Sequence, residues 1–227
     1  MGRYLSFHEE MQKQFGRKVY KLSLDAGMTC PNRDGRSGYG GCIFCDGGSG
    51  AFAARREISL QQQIEQAKAR IRKKAGPCPA YMAYFQSYTN TYAPVEHLEE
   101  LFIPVAARED ICALSIATRP DCLPVAVLDL LTRLNSMKPV FVELGLQTIH
   151  EKTAEYIRRG YPLEVFDRAV AEKLVLSVYG HSLLDGALRE GLQAHCNCPM
   201  EEMRLGPVLG IHLGDSAIGV AWIEKKR

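Results

Sequence analysis

Cys30, Cys42 and Cys45 stand together in one short stretch, joined by the glycine-rich run PNRDGRSGYGG and the dipeptide Ile43-Phe44. Thiolates are the usual protein ligands of iron–sulfur clusters. Glycines let backbone wrap closely around a bound group and take up positive φ. Three cysteines hold three irons of a cubane and leave the fourth open to a small molecule. A structural zinc site calls for a fourth ligand, which His8 or another cysteine would supply, so zinc is the competing reading of the same loop. The other cysteines are dispersed: Cys78, Cys112 and Cys122 stand singly, and Cys196 and Cys198 form a C-x-C that reads as a metal pair or as spare thiols.

The elements that would position this loop follow from hydrophobic period. Residues 18–24, KVYKLSL, alternate as a strand, and 25–56 lack any apolar period and read as a long loop. Loops of that length inside a compact domain are usually functional or disordered. Ser59 is placed to cap a helix running to about Lys74, which Gly76 and Pro77 end. Strands are expected at 80–86, 111–117 and 139–146, and helices at 95–107, 124–134, 151–159 and 163–173. Four strand-then-helix units in succession predict a parallel sheet with crossover helices. Ligands in such sheets sit at the carboxyl ends of the strands, and the cysteine loop begins where the first strand ends. Beyond about residue 172 the texture changes to a strand at LVLSVYG, a helix over 182–194, and two apolar strands around a glycine-rich turn within 204–223.

Composition excludes several classes. The chain has 227 residues, 46% of them hydrophobic and 24% charged, with a net charge of +2. That suits one large globular domain, or a medium one with an appendage, and gives no general drive toward nucleic acid or anionic membrane. No apolar run approaches the roughly 18 residues of a membrane span. The start, MGRYLSFHEEMQKQFGRK, has no apolar core of a secretory signal, so the expected location is cytoplasmic with reduced thiols. The basic run Lys68, Arg70, Arg72, Lys73, Lys74 reads first as a solvated helix face and only second as an RNA contact.

The run KLSLDAGMTCPNRDGRSGYGGCIFC resembles the YhcC-like radical SAM proteins, relatives of the Elongator catalytic subunit, which use a C-x11-C-x2-C type of spacing. The likeness continues through RYLSFHEEMQKQFG, YFQSYTNTYAP, SIATRPDCL and VELGLQTIHEKTAEYIRRGY, and covers about residues 3–170. It implies an α/β fold: a partial (βα) barrel of radical SAM type with about four strand–helix units and an atypical α/β C-terminal segment. It also implies cofactors, a [4Fe–4S] cluster on Cys30, Cys42 and Cys45 with S-adenosyl-L-methionine (SAM) chelating the fourth iron. Phe44 would then lie against adenine, Gln86 and Ser87 near the SAM amino group, and Glu143 and Gln147 near the ribose hydroxyls or the methionine moiety. Arg119, in ATRPD, would offset a carboxylate or form a surface ion pair. The implied reaction is reductive cleavage of SAM to a 5′-deoxyadenosyl radical that takes a hydrogen atom from a substrate. Its implied partners are an electron donor such as flavodoxin or ferredoxin and a tRNA or small-molecule substrate.

The adenine-contacting motif expected on a fifth strand is absent from the sequence. Residues 174–223 instead resemble the C-terminal end of DegV proteins, which bind fatty acids, through the segment from Gly206 to Gly219. That likeness implies a carboxylate-holding role for His212, although Asp215-Ser216 replace the usual Pro-Gly. The expected organisation is therefore a radical SAM core over 1–172 and a DegV-like segment over 173–227. The alternatives to SAM cleavage are a non-catalytic cluster- or zinc-binding remnant and a fatty-acid-binding module.

Overall fold

The computed structural model describes residues 7–45, 57–75 and 79–169, together with the backbone of three later strands. Four strands, β1 (Val19–Leu24), β2 (Ala80–Phe85), β3 (Ile111–Thr118) and β4 (Val140–Leu144), lie side by side in chain order, each parallel to the next. Helices α2 (Leu60–Ile71), α3 (Val95–Ala106) and α4 (Val125–Met137) make the crossovers, and α5 (Glu151–Tyr156) and α6 (Leu163–Ala169) follow β4. The alternating pattern expected from sequence is thus realised as a mixed α/β fold. Ser59 caps α2 as expected, with Gln62 returning a bond to the Ser59 N–H in a reciprocal capping box.

The strands are buried on both faces, and the two faces differ. Leu22, Leu24, Ala83, Phe85, Leu114, Ile116, Val142 and Leu144 pack with Ile64 of α2, Leu98 and Phe102 of α3, and Leu130 and Leu134 of α4. On the opposite face Val19, Ala80, Met82 and Ala113 meet Met11 and Phe15. These last two belong to α1 (Phe7–Phe15), a helix beyond those expected from the sequence. Phe7, Met11 and Phe15 recur every four residues, which is the period of one helical face.

The C-terminal part departs from the expected pattern. Strands β5 (Val175–Val178), β6 (Glu201–Arg204) and β7 (Ile218–Ile223) complete a seven-stranded sheet in the order β1-β2-β3-β4-β7-β5-β6. β7 runs antiparallel to both β4 and β5, while β5 and β6 are parallel. Parallel pairing from β4 onward therefore stops at β7. β5 and β7 match expected strands, whereas Glu201–Arg204 carries no strand signal in its sequence. The helix expected over 182–194, together with Cys196, Cys198 and His212, lies outside the described residues, as does Cys78. Among the described residues no helix is long and apolar enough to cross a membrane.

Candidate functional site

The loop that leaves β1 runs over the carboxyl ends of the strands and is tied down at several points. The Thr89 N–H, just past β2, donates to the Thr29 carbonyl beside Cys30 at 3.2 Å, and the Ile43 N–H donates to Ile157 at the end of α5 at 3.2 Å. Asn32 is the main clasp. It is 3% exposed, and its amide donates to the carbonyls of Arg158 (2.5 Å) and Arg159 (3.1 Å) and to the Cys42 sulfur (3.4 Å). Around Cys45, the N–H bonds back to the Cys42 carbonyl at 3.0 Å, and the Arg33 guanidinium lies 3.8 Å from the sulfur.

The thiols sit in a polarised setting. Burial pushes the Cys42 thiol up, opposed by the Asn32 N–H and by Arg119. Cys42 in turn donates to the Arg158 carbonyl at 3.3 Å. Among the described residues no three His, Cys, Asp or Glu side chains form a group arranged to hold a metal ion, so the three sulfurs are neighbours in one loop without a closed ligand set.

Arg119 is buried, and the ion pair expected of it forms with Asp121 beneath the surface. It forms a two-point pair with Asp121 (2.8 and 2.7 Å) and donates to the Arg159 carbonyl at 2.9 Å. Burial disfavours its charge, but Asp121 outweighs that and holds the guanidinium protonated. Arg159, 1% exposed, fastens the same corner by donating to the carbonyls of Tyr161 (2.9 Å) and Thr148 (2.5 Å) and to Glu151 (3.0 Å). Neither arginine's burial is visible from sequence, where each stands in a polar run.

The other expected contacts divide into two groups. Phe44 and Gln86 are exposed, and Gln147, also exposed, folds its amide against Gly145. Ser87 is 1% exposed and its hydroxyl has no hydrogen-bond partner among the described residues. A buried, unpaired hydroxyl is costly, and native structures rarely keep one without a reason. Beside it, Tyr88 (φ 60°) is held in the left-handed region, as are Gln147 (φ 66°) and Arg158 (φ 58°). Strain of this kind collects at binding and catalytic sites. Asn90, not singled out in the sequence, is fully buried and bridges β2 to β3 by donating to the carbonyls of Phe85 (3.0 Å) and Ala117 (2.9 Å).

Glu143 is the centre of a network drawn from all four parallel strands. Its Oε1 accepts from Lys21 (3.1 Å) on β1 and Ser115 (2.7 Å) on β3, and its Oε2 accepts from Tyr84 (3.1 Å) on β2. Burial alone pushes the carboxyl up, but the Lys21 ammonium and the Ser115 and Tyr84 donors prevail and hold it below the usual carboxylate range. The Tyr84 phenol is pushed up by burial and by the charge of Glu143. A separate cavity of about 1120 Å³ opens on the helix side, between α4, β4 and α6, and meets the cysteine loop through Arg36.

No family model matches the chain. Three proteins are similar to it by sequence. It is 40% identical over 211 residues to protein YhcC of Escherichia coli (strain K12), across 91% of this chain and 66% of that protein. It is 47% identical over 169 residues to the uncharacterized protein YtqA of Bacillus subtilis (strain 168), across 74% of this chain and 52% of YtqA. The uncharacterized protein MJ0486 of Methanocaldococcus jannaschii is 32% identical over 180 residues, across 77% of this chain and 54% of its own length. The chain thus spans about half to two thirds of the length of these curated relatives. A match over 91% of the chain takes in residues on both sides of position 172. With identity at this level running through the cysteine loop and the four-stranded core, the chain belongs to the YhcC-like family.

Proposed function

We propose that this chain is a radical SAM protein. In this reading the described core is part of a (βα) barrel of that type, Cys30, Cys42 and Cys45 ligate a [4Fe–4S] cluster, and SAM binds across the carboxyl ends of β1–β4. One coincidence carries the proposal: a three-cysteine loop of C-x11-C-x2-C spacing is fastened over the strand ends where parallel sheets hold their ligands.

The residue types around the loop suit such a group, and closing the three sulfurs on it would complete the ligand set that the loop alone leaves open. N–H donors already face two of the three sulfurs, from Asn32 and Arg33, and charge-assisted hydrogen bonds favour the thiolate that a cluster needs. The Ser87 hydroxyl, without a partner among the described residues, is an acceptor for the methionine end of SAM. Phe44 supplies an exposed ring for adenine, and Gln147 an amide for the ribose. Glu143 takes part through its network, which orients its carboxylate by bonds from Lys21 and Ser115 to Oε1 and from Tyr84 to Oε2. When bound and reduced, the cluster supplies the electron that cleaves SAM; the protein's task is to orient the cofactor and exclude water.

The test is anaerobic reconstitution with iron and sulfide counting, followed by an assay for 5′-deoxyadenosine in the presence of a reductant. Four irons and four sulfides per chain, lost on replacing any of the three cysteines by alanine, are expected. Zinc in place of iron sinks the reading, and a cluster without 5′-deoxyadenosine favours a non-catalytic remnant.

A further inference from the structure

Lys21, Tyr84, Ser115 and Glu143 form a polar row on the sheet face that carries α1. At the same level on the helix-covered face the neighbouring residues are Leu22, Ala83, Leu114 and Val142, all apolar and buried. Holding four strands together therefore needs no charge at this height. A partly exposed ion pair is in any case poor evidence for stability, because solvent screens it and ordering its side chains costs entropy. The row is also open on one side: the Lys21 and Glu143 side chains keep 34% and 32% of their exposure.

We infer that this row is a recognition site for a planar ligand edge that places an N–H donor beside a lone-pair acceptor, as a nucleobase or a carboxamide does. The unused hydrogen-bonding capacity sets the class. Glu143 Oε1 already takes two donors, while Oε2 takes only Tyr84 and has room for one more N–H. The Lys21 ammonium gives one of its three N–H groups to Glu143 and keeps donors for an acceptor next to that N–H. The Tyr84 hydroxyl is committed as a donor, so its oxygen can only accept. Flat surfaces flank these groups: the Lys21 nitrogen lies 4.3 Å from the Tyr84 ring centre and 5.1 Å from that of Phe7, which is 39% exposed. Below, Met82 and Ala113 form an apolar floor. A carboxylate and an ammonium fixed side by side present no net charge, so the ligand edge is neutral.

This inference deepens the radical SAM reading by naming the kind of substrate group presented to it, but its test needs neither cluster nor SAM. Cytidine and nicotinamide are titrated into the protein without iron, sulfide or SAM, beside the N,N-dimethylated form of each, with binding read by calorimetry or ligand-detected NMR. The expected result is that at least one parent compound binds and its dimethylated form does not. Lys21→Met and Glu143→Gln should each weaken binding about tenfold or more, as expected for a lost charge-assisted bond. Phe7→Ala, which leaves the row intact, should weaken it about tenfold through lost stacking. Cytidine alone points to a nucleobase, nicotinamide alone to a free carboxamide. The inference is overturned if neither parent binds, if the dimethylated forms bind equally well, or if a Lys21→Met protein of unchanged melting temperature binds as the wild type does. Such a failure leaves cluster assembly untouched, and failed cluster assembly leaves this titration valid.

Discussion

Replacing Gly160 with alanine sets a methyl group against the clasp of the cysteine loop. The added Cβ would stand 2.0 Å from Asn32 Oδ1 and 3.0 Å from Nδ2, at a residue whose φ is +78°. Two costs follow. Holding alanine in the left-handed region takes roughly 1–2 kcal/mol. Moving Asn32 aside breaks its bonds to the Arg158 and Arg159 carbonyls, each worth roughly 0.5–1.5 kcal/mol. The sum is about 3 kcal/mol, and at roughly 2–4 °C per kcal/mol for a chain of this size the melting temperature should fall by about 6–12 °C. Gly16→Ala separates the two costs, because Gly16 has nearly the same φ (+69°) with nothing within 4 Å of the added Cβ. It should lower the melting temperature by only about 2–8 °C, less than Gly160→Ala by the cost of the two lost bonds. The local consequence is read at Cys42, which loses its Asn32 partner. With the N–H that favours its thiolate displaced, its alkylation, followed by peptide mass spectrometry, should slow severalfold in Gly160→Ala and stay unchanged in Gly16→Ala. A Gly160→Ala protein that melts no lower than Gly16→Ala would refute the view that Asn32 is what fastens the loop to α5.

Further expectations concern single side chains. Ser87→Ala removes a buried hydroxyl without a partner, so thermal unfolding of the cofactor-free protein should show no loss of stability and up to about 1 kcal/mol gained, while SAM affinity, measured by calorimetry, should fall. Arg159→Met strands the Thr148 and Tyr161 carbonyls in a buried corner and should cost about 3 kcal/mol in a denaturant titration. Asp110, bonded to Arg108 and Lys68, is held down to about 2, with burial opposing. Because its folded value is depressed, its contribution is fully present above the unfolded value near 3.9 and is lost as pH falls toward 2. Discounted for its partial exposure, that contribution is on the order of 1 kcal/mol, and the loss between pH 4 and 2 should be smaller in Asp110→Asn. Cys122, pushed up to about 12 by burial and by Asp121, should resist iodoacetamide at pH 8 in the native protein.

Local pattern made the core legible. Strand and helix positions in the four units agree with the structure to within a few residues, because alternation and helical period are properties of adjacent residues. The cysteine loop was legible for the same reason. What escaped depends on residues distant in sequence. Lys21 and Glu143 are 122 positions apart and meet only through the parallel register of four strands. Asn32 reads as a loop residue until its carbonyl partners arrive from beyond α5. The basic run on α2 looked like one surface, but Lys68 is drawn off to Glu65 and Asp110, leaving Arg70, Arg72, Lys73 and Lys74 exposed. α1 had a readable period, yet its nine residues contain five charged or amide side chains that mask it.

The antiparallel β7 decides how far the polar row can extend. A further parallel strand on the free edge of β4 would add its own side chains beside Glu143, whereas β7 places Ala221 opposite Glu143 and Trp222 opposite Val142. In an antiparallel pair a one-residue slip turns every side chain to the other face, so the register is open to a sharp chemical test. Residues directly opposite in such a pair have Cα atoms about 4.5–5.5 Å apart, within the range a disulfide spans. Val142→Cys combined with Trp222→Cys should therefore cross-link under mild oxidation, with the joined peptides identified by mass spectrometry. Val142→Cys combined with Ala221→Cys, one residue out of register, should not. Equal cross-linking of both pairs, or cross-linking of the second alone, would displace β7 from β4. The row of Lys21, Tyr84, Ser115 and Glu143 would then have an unfilled neighbour, and whatever strand took that place would share in reading the ligand.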